Sequence, residues 1–320
     1  MFVIRHWLLM ILPFALWGTA MAAMAPLVSS SGALVVASLR LLPAGLILLA
    51  VTPLIGRSLN IARADLIWFL IFTLVDATLF QFCLARGLAR TGAGLGSVLI
   101  DSQPLIVALL ARSFFGDAIN PIGWIGLVIG FLGIIFLGAP PEILNHWWLM
   151  GQPASLSSLW SNGELWMLAA ALSMAFGTIF IRFTCKESDP VAITGWHMVL
   201  GSLPLIIAHL FEKDWPALPQ WSTFEWGLMA YASLFGSALA YGLFFWFANR
   251  EELTSFSTLA FLTPVFALAT GGVWLGERLQ SLQWIGVLLV LLSVFFVSQR
   301  RRLWEPNSSV EESEIGLDSR

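Results

Sequence analysis

Apolar runs of about 18–24 residues recur along the whole chain between short polar breaks. Each is long enough to cross a hydrocarbon core of about 30 Å as a helix rising 1.5 Å per residue. The reading gives ten such spans, at 7–27, 33–54, 65–88, 93–115, 121–138, 165–184, 190–211, 224–248, 253–275 and 281–298. Only 11% of the residues are charged and 58% are hydrophobic, whereas an ordinary soluble domain is about 25% charged. A water-soluble fold would lack the residues for its surface, so the expected solvent of this chain is lipid. The fold class predicted is an all-α integral membrane protein.

Composition also limits partners. No basic tract points to nucleic acid, because Arg300, Arg301 and Arg302 form a triplet that abuts an apolar run. Cys83 and Cys185 fall in or at the end of apolar runs and give neither a disulfide framework nor metal-ligand spacing. No metal or cofactor is therefore expected. The expected partners are the bilayer and a small-molecule substrate, with a homodimer compatible with the sequence.

The chain repeats itself. "FFGDAINPIGWIG" begins at Phe114 and "WLGERLQSLQWIG" at Trp274, so Gly116 and Gly276 are 276 − 116 = 160 residues apart. Trp124 and Trp284 share that offset, as do Pro104 and Pro264. Arg5, the apolar run after it and "TAMAAMA" also resemble a cleavable signal peptide. However, "WGT" at Trp17 returns as "FGT" at Phe176, which assigns the first run to the repeat. Each half holds five spans, an odd number, so the second half should enter the membrane upside down. Such inverted repeats let two bundles rock around a site at mid-depth. Ten spans with hardly any soluble domain argue against a purely structural anchor.

Lys and Arg set the orientation. With the N-terminus inside, ten basic residues lie at cytoplasmic ends (Arg5, Arg57, Arg63, Arg112, Arg182, Lys186, Arg250 and Arg300 to Arg302) and four outside (Arg86, Arg90, Lys213 and Arg278). That is a positive-inside bias with both termini cytoplasmic, as expected for a bacterial inner membrane. The units predicted are a first repeat over 1–138, an external Trp-rich linker over 139–163, a second repeat over 164–299 and an acidic, disordered tail over 300–320.

The order and doubling of four segments carry a resemblance. "LWGTAMAAM", "ASLRLLPAGLIL", "QPLIVALLARSFFGD" and "TPVFALATGGVWLGERL" are similar to the EamA domains of the drug/metabolite transporter superfamily. The similarity covers about Leu8 to Val297 in two copies. It implies a ten-helix fold with both termini inside, export or exchange of small metabolites, and a central cavity surrounded by helices three, four, eight and nine. Asp117 stands where the family usually shows Glu, and the long Trp-rich outer loop is also unusual for it.

Ionisable residues inside spans are costly in lipid and mark candidate sites. Asp76 lies 76 − 65 = 11 residues into the third run, about 17 Å deep and near the midplane. Thr73, Asp76, Ala77, Phe80 and Gln81 share one helical face. Adding 160 to Thr73, Ala77 and Gln81 gives Ser233, Ser237 and Tyr241, a second polar stripe on the eighth span. Facing stripes would line a wet cavity; the alternative is interhelical hydrogen bonding.

Arg40 and Asp101 lie at matched depths of about 10 and 12 Å, which predicts an ion pair. His197, about 10 Å from the inner side, is either a proton carrier or a packing histidine. Asp117 and Glu277 sit at the membrane edge and suit a loop or cap role. The glycines at 123, 126, 130 and 133 predict close helix packing.

The substrate-binding candidates are thus Asp76, Gln81, Ser237, Tyr241, Arg40 and Asp101, with Asp76 and His197 for proton coupling. No P-loop is present, and the scattered histidines form no catalytic cluster. The function predicted is a secondary transporter of a small organic metabolite, with an integral membrane enzyme or a channel as alternatives.

Overall fold

The computed structural model describes residues 2–91, 99–138, 163–210, 219–275 and 281–304. Most of the predicted linker, the tail from residue 305, the Gly92–Gly96 stretch and Glu277 lie outside the described residues. Among the described residues the chain is helical and contains no strand. In chain order the helices are α1 (Phe2–Ser31), α2 (Ala33–Leu54), α3 (segments Leu66–Phe72, Thr73–Leu79 and Phe80–Thr91), α4 (Gln103–Phe115) and α5 (Pro121–Gly138). There follow α6 (Glu164–Thr184), α7 (Pro190–Leu210), α8 (Thr223–Ser233, Leu234–Leu239 and Ala240–Ala248), α9 (Leu253–Thr258, Leu259–Leu262 and Thr263–Leu275) and α10 (Ser281–Trp304). Eight stretches are long and apolar enough to cross a membrane, and Gln103–Phe115 and Pro121–Leu137 are shorter apolar helices.

Lipid offers no hydrogen bonds, so a spanning segment must satisfy its own backbone, and the helix does this. Large apolar side chains then point outward: Leu46, Ile67, Leu132, Leu234 and Leu288 are all exposed. Close contact between helices relies on small residues. A Cβ on Gly126 would lie 2.7 Å from Val297 Cγ2, and one on Gly133 would lie 2.9 Å from Val290 Cγ2. This joins α5 to α10 along the predicted glycine stripe. The other extensive pairing is α2 with α7; α1 packs on α8 and α9, while α6 packs on α3 and α4.

Four helices depart from regular α-geometry or are interrupted, and the departures come in pairs. The middle turns of α3 (Thr73–Leu79) and α8 (Leu234–Leu239) are π-helical. Leu74 + 160 is Leu234 and Leu79 + 160 is Leu239, so the wide turns recur at the repeat offset. The chain turns at Asp101 and Ser102 before α4 starts at Gln103, and α9 passes through a 3-10 turn at Leu259–Leu262. Pro104 and Pro264 sit just inside the helical segments that follow. Proline fits the first turn of a helix because the N–H it lacks has no intrahelical acceptor there. The fourth run, read as one span over 93–115, therefore breaks at mid-depth.

At the other end of α4, Gly116 has φ +67° and its N–H bonds to Arg112 O at 3.1 Å. The N–H of Asp117 reaches Ala111 O at 3.4 Å. This left-handed cap explains the glycine of "FFGD" and turns Asp117 toward the neighbouring helix ends.

Candidate functional site

The helices enclose a cavity of about 130 Å³. Its wall runs from Trp17 and Tyr241 at mid-depth to Val28 and Val36 near the face opposite the two chain ends. Contributions come from α1, α2, α3, the turn before α4 and the first residue of α4, α6, α8 and α9. The expected helices three, four, eight and nine all line it, and three others join them. Helices α1 and α2 supply much of the wall, because Gly18 lets α1 approach α9 closely: a Cβ there would lie 2.6 Å from Thr263 O.

Arg40, Gln81, Asp101 and Tyr241 all line this cavity. Arg40 Nη2 donates to Gln81 Oε1 at 3.3 Å, and Gln81 Nε2 donates to the Tyr241 hydroxyl at 3.4 Å. Gln81 and Tyr241 are 160 residues apart, so the repeat brings equivalent positions of the two halves into contact. The predicted Arg40–Asp101 ion pair is not made in this conformation. Arg40 bonds Gln81 instead, and Asp101 has no hydrogen-bond or ion-pair partner among the described residues. The break at Asp101 and Ser102 explains the difference, because a depth counted along one continuous helix does not hold across it.

Asp76 and Ser237 do not line the cavity, contrary to the facing-stripe expectation, and neither do Thr73 and Ser233. Ser237 is fully buried and donates to Ala232 O, five residues back, at 3.0 Å. The π-turn brings that carbonyl within reach.

Asp76 is 1% exposed and faces His197, also 1% exposed, with Oδ2 2.9 Å from Nε2. His197 Nδ1 is 2.9 Å from Thr194 O, and Phe72 stacks on the ring at 4.4 Å. A carbonyl oxygen can only accept, so Nδ1 carries a hydrogen. The contact with Asp76 then needs one further proton, held by Nε2 or by the carboxyl. Without it, a nitrogen lone pair would face a carboxylate. The geometry is therefore that of a proton-loaded pair joining α3 to α7. The other Asp76 oxygen has no hydrogen-bond partner and lies over Gly177.

The sequence reading did not select Gly177. Its signal was available, since Gly177 is the glycine of the "FGT" that echoes "WGT". Trp17, from that echo, was not selected either.

The face carrying the chain ends is closed by polar contacts. Arg300, 1% exposed, reaches the carboxylates of Glu252 and Asp117 and donates to Ser255 Oγ at 2.7 Å. Asp117 also accepts from Thr254 Oγ1 at 2.7 Å. Arg57 pairs with Asp189 at 2.7 Å, and Asp65 accepts the N–H groups of Glu187 and Ser188 at 2.9 and 2.8 Å. Asp117 thus ties helix ends together rather than facing the cavity. Arg300, assigned above to a disordered tail over 300–320, instead lies in α10, which runs to Trp304, and is a buried tie. Adding the repeat offset to Arg57 and Asp65 gives Ala217 and Glu225; subtracting it from Arg300 and Glu252 gives Pro140 and Gly92. The acids Asp65 and Asp117 recur as Glu225 and Glu277, while the cations Arg57 and Arg300 do not recur.

Long apolar helices with a partly polar cavity between them define a multi-pass integral membrane protein. The chain belongs to the EamA-like transporter family, whose profile matches residues 5–139 and 161–299. It is 48% identical over 305 residues to an uncharacterized transporter of Synechocystis sp., covering 94% of this chain and 92% of that one. It is 44% identical over 299 residues to a chloroplastic WAT1-related protein of Arabidopsis thaliana, covering 92% and 69% respectively. A solved crystal structure superposes with a TM-score of 0.77 at 15% identity over 92% of this chain and 97% of that one, a likeness of fold alone.

Proposed function

We propose that this chain is a secondary transporter that moves a small organic metabolite out of the cell, or exchanges it, by alternating access. Ten spans form two inverted five-helix halves, with both termini on the cytoplasmic side of a bacterial inner membrane. The packing supports this reading: α1 lies on α8 and α9 as α6 lies on α3 and α4, and α2 meets α7 as α5 meets α10. A two-fold relation between the halves would generate those pairings.

The observation that carries the proposal is a mid-depth cavity walled by both halves, with polar ties closing the face that carries the chain ends. Binding from one side followed by release to the other requires such a seal to break and another to form. Asp76 and His197 are the coupling candidates. Loss of their shared proton would weaken one link between α3 and α7 beside the π-turn of α3, leaving the bond from Thr78 Oγ1 to Gly201 O at 3.0 Å. Protonation would thereby bias the rocking motion.

The test has two stages. Solutes lost from the medium when the gene is deleted would be identified first. Each would then be assayed for saturable counterflow with purified protein in liposomes. Saturable counterflow supports the transporter. Chemical conversion of the solute would instead identify an enzyme, and non-saturating flux a channel.

A further inference from the structure

Arg40 on α2 bonds Gln81, and Gln81 bonds its own repeat equivalent, Tyr241, at 3.4 Å. Equivalent residues that touch belong beside the axis relating the two halves, so cavities on either side of that axis would share them. Helices α2 and α7 start at Ala33 and Pro190, an offset of 190 − 33 = 157. At that offset the wall residues Val36, Ala37 and Arg40 correspond to Ile193, Thr194 and His197. At the offset of 160 shared by the π-turns of α3 and α8, the wall residues Phe80, Leu84 and Ala85 correspond to Ala240, Phe244 and Phe245.

The six counterparts are at most 1% exposed, and none lines the cavity. Phe245 stands where the first half has the small side chain of Ala85. Its ring is edge-on to His197 at 5.6 Å and tilted on Tyr241 at 6.0 Å. Along α8 it lies between Tyr241 and Ala248, whose carbonyl accepts from Arg182 at the face carrying the chain ends. The second-half version of the cavity wall is therefore packed shut on the tied side of Tyr241. The titratable groups near the His197 ring are Asp76 from α3 and, past Phe245, Tyr241 from α8. Helix α2 brings Leu48 and Leu49 to this part of α7, and α6 brings Gly177 beside Asp76.

Resting on the alternating-access reading, we propose that these six residues wall a second cavity, closed here, that opens toward the face carrying the chain ends. Phe245 is its plug, and His197 takes in it the place that Arg40 takes in the present one. The proton of the Asp76–His197 pair is then gained and lost through that face. A solute meets a guanidinium on one side of Gln81 and Tyr241, and a titratable imidazole on the other.

The experiment labels single cysteines with a membrane-impermeant maleimide, in right-side-out and inverted vesicles carrying the full chain with Cys83 and Cys185 replaced by alanine. Thr194→Cys and Ala240→Cys should react from the chain-end face alone. Arg300→Met should speed that reaction at least tenfold. Ala85→Phe should speed it too, since it fills the present cavity with the ring already housed at the equivalent position. That variant stays informative if Arg300→Met folds poorly. Leu84→Cys, half-buried in the present wall, should react from the opposite face and slow in both variants. A loaded pair holds α7 on α3 in the present state, and alkali at the chain-end face unloads it. Raising the pH there from about 6 to about 8, with the labelled face kept at about 7, should slow Leu84→Cys about threefold to tenfold, the worth of one hydrogen bond. His197→Gln should abolish that response. Thr194→Cys and Ala240→Cys reacting from the opposite face, or from neither in every variant, would overturn the second cavity. If Ala260→Cys still opened to the chain-end face, the transport reading would stand without it. No pH response, one driven from the opposite face, or one that survives His197→Gln would overturn the proton path. Labelling of Leu84→Cys and Thr194→Cys from both faces would instead sink alternating access itself.

Discussion

Replacing Gly177 by Ala tests whether the Asp76–His197 pair is held by its neighbours. A Cβ on Gly177 would lie 2.0 Å from Asp76 Oδ1, 2.5 Å from Cγ and 2.7 Å from Cβ, whereas ordinary contact begins near 3.4 Å. The carboxylate must therefore retreat by up to 3.4 − 2.0 = 1.4 Å, or α6 must move away from α3. Taken by Asp76 alone, that shift would stretch the 2.9 Å bond to His197 to as much as 4.3 Å, beyond hydrogen-bonding range. Overpacking of this kind costs roughly 1–3 kcal/mol, and losing a partner from a buried pair costs up to about 3–5 kcal/mol. Because the backbone can absorb part of the clash, the expected loss of stability is about 2–4 kcal/mol. Thermal unfolding in detergent, with the pH profile of counterflow, reads both consequences. A double-mutant cycle with Asp76→Ala isolates the clash. The alanine removes the two closest contacts, so Gly177→Ala should cost distinctly less in that background. An unchanged melting temperature and an unchanged pH profile in Gly177→Ala would refute the idea that the pair is clamped. Gly227→Ala is the control. Nothing lies within 4 Å of its added Cβ, and it should gain up to about 1 kcal/mol of helix propensity.

Further expectations concern the same machinery and the seal. Asp76→Asn should abolish coupled transport or its pH dependence at unchanged expression; normal pH-dependent transport by that variant would reduce Asp76 to a packing residue. Arg300→Met leaves Glu252 and Asp117 without their shared cation and should favour opening of the terminal face by about 2–3 kcal/mol. Since 1.4 kcal/mol is tenfold, a cysteine placed at Ala260 in the cavity wall should then be labelled from that side at least ten times faster; parental labelling would contradict the seal. Cys185 lies beyond the end of α6, where burial and then the nearby carboxylates of Asp65 and Asp189 push its thiol well above the usual range. A raised thiol holds less thiolate at a given pH, so maleimide should modify it at pH 8 far more slowly than a free thiol.

Length and polarity of the apolar runs made the helical membrane class legible, because lipid leaves a spanning backbone few options. The glycine stripe of α5 was legible for a related reason, since close approach in lipid favours small residues at helical spacing. The repeat offset even paired Gln81 with Tyr241, which do meet. Depth along a run, by contrast, is a one-dimensional ruler. It brought Arg40 and Asp101 to the same level but not into contact, because the chain turns at Asp101 and Ser102 and Gln81 is the group that meets the guanidinium. It placed Asp76 at the midplane but could not say which way the side chain faces. Only the packing of α6 and α7 against α3 turned it away from the cavity and onto His197, 121 residues away. Whether a polar residue faces a ligand or a neighbouring helix is set by the rotation of that helix within its bundle. Rotation depends on all the surfaces it touches at once, so it is a property of the tertiary structure and not of any one segment.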